Sequence, residues 1–183
     1  MIYHSDRLVM RDLFLGDLSD VHFLLTRHET DKFNTLGIPE TIQRTEFLLT
    51  EWIIAQSEQP RMLFVFALEN RNNNQWMGLI GLQLRELKFR SGEVWFKIAP
   101  VHWGDGFATE CLKRMLTFAF TELNLHRVEA GCAIQNIASA RVLEKAGMKK
   151  EGVKRKILPI RGEWADAYSY AVLEEDFKEI QIK

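Results

Sequence analysis

The stretch HWGDGFATECLKRMLTFAF (102–120) constrains the fold of this chain more than any other, because two glycines flank an aspartate at the head of an amphipathic segment. Ala108, Leu112, Met115, Ala119 and Phe120 recur at helical spacing, which predicts a helix with one buried face directly after the glycines. Before it, GEVWFKIA (92–99) alternates as a strand does, with Glu93, Trp95 and Lys97 on one face and Val94, Phe96 and Ile98 on the other. After it, HRVEAGCAI (126–134) reads as a further strand. A strand, a glycine turn, a helix and a strand therefore stand at the centre of a mixed α/β domain.

The flanking segments extend this unit on both sides. RLVMRDL reads as a first strand, 17–28 as a helix capped by Asp17 or Ser19, and 41–57 as a helix carrying Leu48, Leu49, Trp52 and Ile53. Strands over 61–69 and 75–87 flank the polar turn ENRNNNQ as a hairpin, and the turn signal FRSG leads into 92–99. Asn136 caps a short helix over 136–147, with Gly147 just past its end. A hairpin closes the chain, from KKEGVKRKILPI through the turn RG to EWADAYSYAVL (163–173). The expected order is β-αα-βββ-α-β-α-ββ, in one domain over 1–183.

Composition narrows the function classes. With 24 basic and 25 acidic residues, no basic field marks a nucleic-acid binder. Apolar runs break well before the ~20 residues a membrane helix needs. The start, MIYHSDRLVMRDL, lacks the charged and apolar regions of a secretion signal. Cys111 and Cys132 are too few for a disulfide framework or zinc site, and are expected as free thiols in a cytoplasmic protein.

At a helix start the first N–H groups lack intrahelical partners and the helix dipole adds partial positive charge. Glycines let such a backbone approach a ligand closely, so 103–109 reads either as a main-chain phosphate cradle or simply as a tight strand-to-helix turn. A P-loop is excluded because no Gly-Lys-Ser/Thr follows, and the spacing is not that of the dinucleotide fingerprint.

Taken together, WGDGFATECL, HRVEAGCAIQNIASARVLEKAGM and RGEWADAYSY resemble the GNAT superfamily of acetyl-CoA-dependent N-acetyltransferases, nearest its ribosomal-protein (Rim-type) and small-amine branch. The resemblance implies a twisted, mostly antiparallel mixed sheet flanked by helices and splayed between its fourth and fifth strands. It also implies acetyl-CoA as co-substrate, with no metal. Backbone amides of Trp103, Gly104, Asp105, Gly106, Phe107, Ala108 and Thr109 would hold the coenzyme A diphosphate. Two positions depart from the family pattern. Trp103 stands where Arg or Gln is usual, and Asp105 where Lys or Arg is frequent. Neither removes a main-chain donor.

The resemblance also assigns chemistry. Acetyl transfer needs a base for the amine, donors for the oxyanion and a partner for the departing thiolate. Ile98 and its neighbouring main chain would pair with acetyl-pantetheine and hold the oxyanion. Glu93 matches a frequent base position, with an ordinary solvated carboxylate as the alternative. Glu129 is a weaker candidate that could instead pair with Arg127 or Lys97, and His102 and His126 sit in loops. The thiolate's usual tyrosine position is Leu143, so Asn136 and Ser139, in the Rim-type N-x-x-S pattern, are expected to contact pantetheine and the sulfur. Asn136 serves equally as a cap. Tyr168 and Tyr170 could replace the tyrosine or belong to the core, and Trp76, Trp95, Trp164 and Phe33 could line a cleft.

For the acceptor, Glu29, Asp31, Glu40, Glu46, Glu51 and Glu58 against Lys32 and Arg44 give that segment a net charge of −4. An acidic rim would favour a basic peptide α-amine, with a small amine or polyamine as the alternative; solvated helix faces are the other reading. Two rivals remain open: an acetyl-CoA-binding sensor with little catalysis, and a nucleotide binder sharing only the glycine turn. Monomer and homodimer both fit.

Overall fold

The computed structural model describes residues 1–182, with side chains through Lys178. Among these residues one sheet holds eight strands: β1 (Ile2–His4), β2 (Leu8–Asp12), β3 (Leu63–Asn70), β4 (Trp76–Leu84), β5 (Ser91–Ile98), β6 (Arg127–Ala133), β7 (Lys149–Ile160) and β8 (Glu163–Leu173). Their order is β1-β2-β3-β4-β5-β6-β8-β7. Every neighbouring pair is antiparallel except β5 and β6, which run parallel because helix α4 (Phe107–Thr121) crosses over between them.

Helices cover both faces. On one face α4, α5 (Ile137–Lys145) and α6 (Glu174–Ile182) pack on the core that includes Val94, Ile98, Val128 and Ala130. Phe118 of α4 centres this core, at 5.2 Å from the ring of Phe64, with Phe66 and Tyr3 beside it. On the other face α1 (Leu18–Leu25) and α3 (Ile42–Ala55) bury Val21, Leu24 and Leu49 against Val65, Ala67 and Leu79. Thr41 caps α3 by accepting the Arg44 N–H, and Asn136 caps α5 by accepting that of Ser139. Asp17, almost fully buried, is balanced by a two-pronged ion pair with Arg11, which also holds Glu69.

The mixed sheet and flanking helices agree with the expected fold class, and three elements differ from the expected order. A three-residue edge strand, β1, precedes the first predicted strand, too short to show any periodicity. The helix expected over 17–28 breaks into α1 and a single turn, α2 (His28–Asp31), separated at Thr26 and Arg27. The chain does not close on the hairpin, because α6 follows β8 and stacks Phe177 on Phe120 at 4.9 Å. With β1 counted, the fourth and fifth strands of the sequence reading are β5 and β6.

Candidate functional site

The pairing of β5 with β6 lasts only three residues: Ser91 with Arg127, Gly92 with Val128, and Glu93 with Glu129. Beyond that rung the strands part, while β5 stays paired with β4 up to Ile98 and β6 with β8 up to Ala133. The gap opens toward the C-terminal ends of both strands. Two helix starts follow directly from those ends, α4 after β5 and α5 after β6.

What β5 offers to the gap follows from its register. In an antiparallel ladder, residues alternate between exchanging both hydrogen bonds with their partner and turning both groups away. The Ala99 N–H donates to the Met77 carbonyl and the Arg85 N–H to that of Ser91, which fixes the alternation at both ends of β4–β5. Phe96 and Ile98 therefore direct their main-chain groups at the gap. The carbonyl of Ile98 already accepts the indole N–H of Trp103 at 2.7 Å. Ile98 is left with an N–H, a donor at the edge of the opening.

The glycine turn lies just past this edge. Gly104 and Gly106 have φ of +91° and +82°, and no atom lies within 4 Å of where a Cβ would sit on Gly104. Gly106 is the N-cap of α4 and has no side chain to cap with, so the N–H groups of Phe107, Ala108 and Thr109 meet no capping acceptor. Trp103 itself contributes no donor here, because its N–H bonds the Pro100 carbonyl and its indole goes to Ile98. The cradle that an anion can use thus begins at Gly104. Asp105 turns its side chain to solvent.

A residue not singled out from the sequence braces this turn. Arg7 donates to the carbonyl of Asp105 at 3.0 Å, lies 4.3 Å over the Phe107 ring and pairs with Glu110 at 2.7 Å. Burial alone would raise the Glu110 carboxyl, but hydrogen bonds from Ser5 and from the backbone and side chain of Arg7 outweigh it and hold it below the usual range. This brace comes from a segment about a hundred residues away, which no local motif could reveal.

The remaining candidates separate clearly. Glu93 is exposed and free of ion pairs among the described residues, on the same face as Trp95 and Lys97. Glu129, its neighbour across the last rung, is held by both Arg85 and Arg127, so of its two expected partners it takes Arg127 and not Lys97. His126 lies at the opposite end of β6, beside Glu174 at 3.8 Å. His102 packs edge-on against Phe107. The Ser139 hydroxyl makes no hydrogen bond among the described residues, although its N–H is held by Asn136 at 3.1 Å. Leu143 is buried in the core, and Tyr170 is buried with its hydroxyl on Glu144 at 2.9 Å, its pKa raised by burial and that bond. Tyr170 is thereby structural. Tyr168 is half-buried under Lys150, Trp95 packs against Trp52, and Trp164 is exposed at the hairpin tip. Of the acidic segment, Glu29, Glu40, Glu46, Glu51 and Glu58 all lie exposed, and Asp31 alone is buried. The carboxylates do not converge.

A family model described as an acetyltransferase (GNAT) domain matches residues 7–149. An uncharacterized N-acetyltransferase of Bacillus subtilis, YoaA, is 27% identical over 173 residues, covering 94% of this chain and 97% of its own. The GNAT-family acetyltransferase structure from Bacillus anthracis superposes with a TM-score of 0.83 at 28% identity, covering 96% and 99% of the two chains. Spermidine N-acetyltransferase from Vibrio cholerae, crystallised with CoA and spermine, superposes at 0.84 with 26% identity over 95% and 99%. No helix among the described residues is long and apolar enough to cross a membrane.

Proposed function

The chain belongs to the GNAT acetyltransferase family, and from that premise we propose that it acetylates a small primary amine by direct attack on acetyl-CoA, with both substrates bound at once. It is an acyltransferase. The observation that carries the reading is the gap beyond the Glu93–Glu129 rung, with main-chain groups of Phe96 and Ile98 on its edge and the glycine turn at its mouth. Amides from Gly104 to Thr109 suit a diphosphate, and the Arg7–Glu110 pair braces the turn that carries them.

The amine nitrogen attacks the thioester carbonyl carbon, the C–S bond breaks, and CoA leaves as thiolate. In this reading the N–H of Ile98 would hold the oxyanion, and Ser139 with Asn136 would meet the sulfur. Glu93 receives the amine proton through a chain of waters rather than directly, because Ile98, whose N–H is assigned the oxyanion, stands five residues along the strand, about 16 Å away. In this assignment Glu129 has no part, being held by two arginines.

A small acceptor is favoured by a contact that joins the β7–β8 turn to α2. Arg161, in the turn between β7 and β8, reaches α2, lying 3.6 Å from Asp31 and 3.5 Å from the His28 carbonyl. In this reading the bridge would narrow the entry that a folded protein's N-terminus needs, and the Vibrio relative is a spermidine N-acetyltransferase. The N-x-x-S pattern of Asn136 and Ser139 favours the second reading, a protein or peptide α-amine in the Rim-type branch. The two buried cysteines are free thiols, which suits a cytoplasmic setting.

Release of CoA thiol across a panel of small amines and short peptides tests the proposal. Small amines should turn over fastest, with double-reciprocal lines that intersect. Turnover of peptides alone would overturn the acceptor class, and parallel lines would overturn the direct attack.

A further inference from the structure

Among the described residues five buried side-chain polar atoms have no hydrogen-bond partner, and three of them belong to residues on or beside the α1/α3 face of the sheet: Lys97 Nζ, Trp76 Nε1 and Asp31 Oδ1. Lys97 stands on the last turn of the β5 pleat, cross-strand from Leu79 and on the face shared with Glu93 and Trp95. Trp76 begins the neighbouring strand β4 and packs on the same face. Asp31 comes from α2 and is 6% exposed, with its other oxygen 3.6 Å from Arg161.

A buried ammonium without a counter-ion is costly, and a buried indole N–H without an acceptor adds to that cost. No carboxylate among the described residues comes within ion-pairing distance of Lys97; Asp31 influences it only at longer range. Five carboxylates of the preceding helical segment point to solvent instead. This side of the sheet therefore holds two unpartnered donors, one of them cationic, and an unpartnered acceptor on Asp31. A polyamine carries only cations and donors, so it leaves both donors unmatched and sets its charge against Lys97. A carboxylate on the acceptor satisfies both donors, and the free oxygen of Asp31 remains for an N–H of the same molecule.

We infer that the amine acetylated by this chain carries a carboxylate, as an amino acid does, with Lys97 and Trp76 as the groups that receive it. The inference rests on the small-amine reading given under Proposed function and names the class of amine within it. Burial lowers the Lys97 ammonium to about 8, which leaves it mainly charged at neutral pH and available to an anion. Lys97 acts here in acceptor selection, away from the reacting atoms.

Matched pairs that differ only by the carboxylate test this: lysine against cadaverine, and phenylalanine against phenethylamine, with spermidine as a third arm. At saturating acetyl-CoA, kcat/KM for the amino acid should exceed that of its decarboxylated partner at least tenfold. Lys97→Met should bring that ratio down at least tenfold, whereas Lys97→Arg, which keeps the charge, should retain most of it. Cadaverine or spermidine outrunning lysine in the parent enzyme would overturn the inference while leaving small-amine acetylation standing. A ratio unmoved in a folded Lys97→Met variant would overturn it as well. Failure of every small amine, with peptides turned over, would remove the small-amine reading and the inference with it. The parent ratio alone decides the matter if the variants do not fold.

Discussion

The indole N–H of Trp103 donates to the main-chain carbonyl of Ile98 across 2.7 Å, tying the loop before the glycine turn to the open edge of β5. One bond thereby sets the distance between the two parts of the site, the cradle and the gap. Trp103→Phe keeps most of the bulk and removes the donor. A neutral hydrogen bond contributes about 1 kcal/mol, so KM for acetyl-CoA should rise about fivefold with kcat less affected. Steady-state kinetics at saturating amine checks this, and an unchanged KM would mean the loop is held by its apolar contacts alone.

The Arg7–Glu110 brace makes the stability of the cradle depend on pH. The folded Glu110 carboxyl titrates below its ordinary value of 4.5. Its contribution is therefore whole above that value and fades as pH falls through the lower, folded one. Glu110→Gln should destabilise the protein at pH 7, and the difference from the parent should shrink at pH 3. Urea midpoints at the two pH values provide the comparison.

Lys97 shifts in the opposite sense. Burial brings it from 10.5 to about 8, so between those values the unfolded chain holds more protons than the folded one and stability rises with pH. Lys97→Met should be the more stable protein at pH 7, by up to about 3 kcal/mol, with the advantage vanishing between pH 8 and 10.5. Thermal melts of both proteins across that range would show it. A constant difference would place the ammonium in solvent.

Much of this architecture was legible because it rests on local pattern. The alternation in 92–99 assigned Lys97 and Ile98 to opposite faces, and the glycines at 104 and 106 marked the start of α4 before any contact was known. What stayed hidden depends on distant pairs. Arg7 meets Asp105 only after β2 has taken its place in the sheet, and Arg161 meets Asp31 only when a hairpin tip returns to a helix 130 positions earlier. The acidic segment left its two readings, a rim or solvated helix faces, open for the same reason. Its net charge was readable, but whether carboxylates converge depends on the facing of each side chain, and five of the six face water.

Glu93 and Ser139 differ in what they should do to the rate. Glu93→Gln should lower kcat most at neutral pH and recover as pH rises and free amine accumulates. Ser139→Ala should lower kcat severalfold at every pH, without changing the shape of the profile. Parent-like rates in both variants would mean that positioning of the substrates carries the acceleration.

The central claim, that the glycine turn at the mouth of the β5–β6 gap holds acetyl-CoA, is tested most directly by calorimetric titration of acetyl-CoA into the parent and Gly106→Val. At φ +82° a β-branched side chain is strained, and its Cβ would lie 3.6 Å from Arg7 Nη2, in the guanidinium that braces the turn before α4. The account predicts that a variant with the parental circular dichroism spectrum binds at least a hundredfold more weakly. Parental affinity in such a folded variant would contradict it.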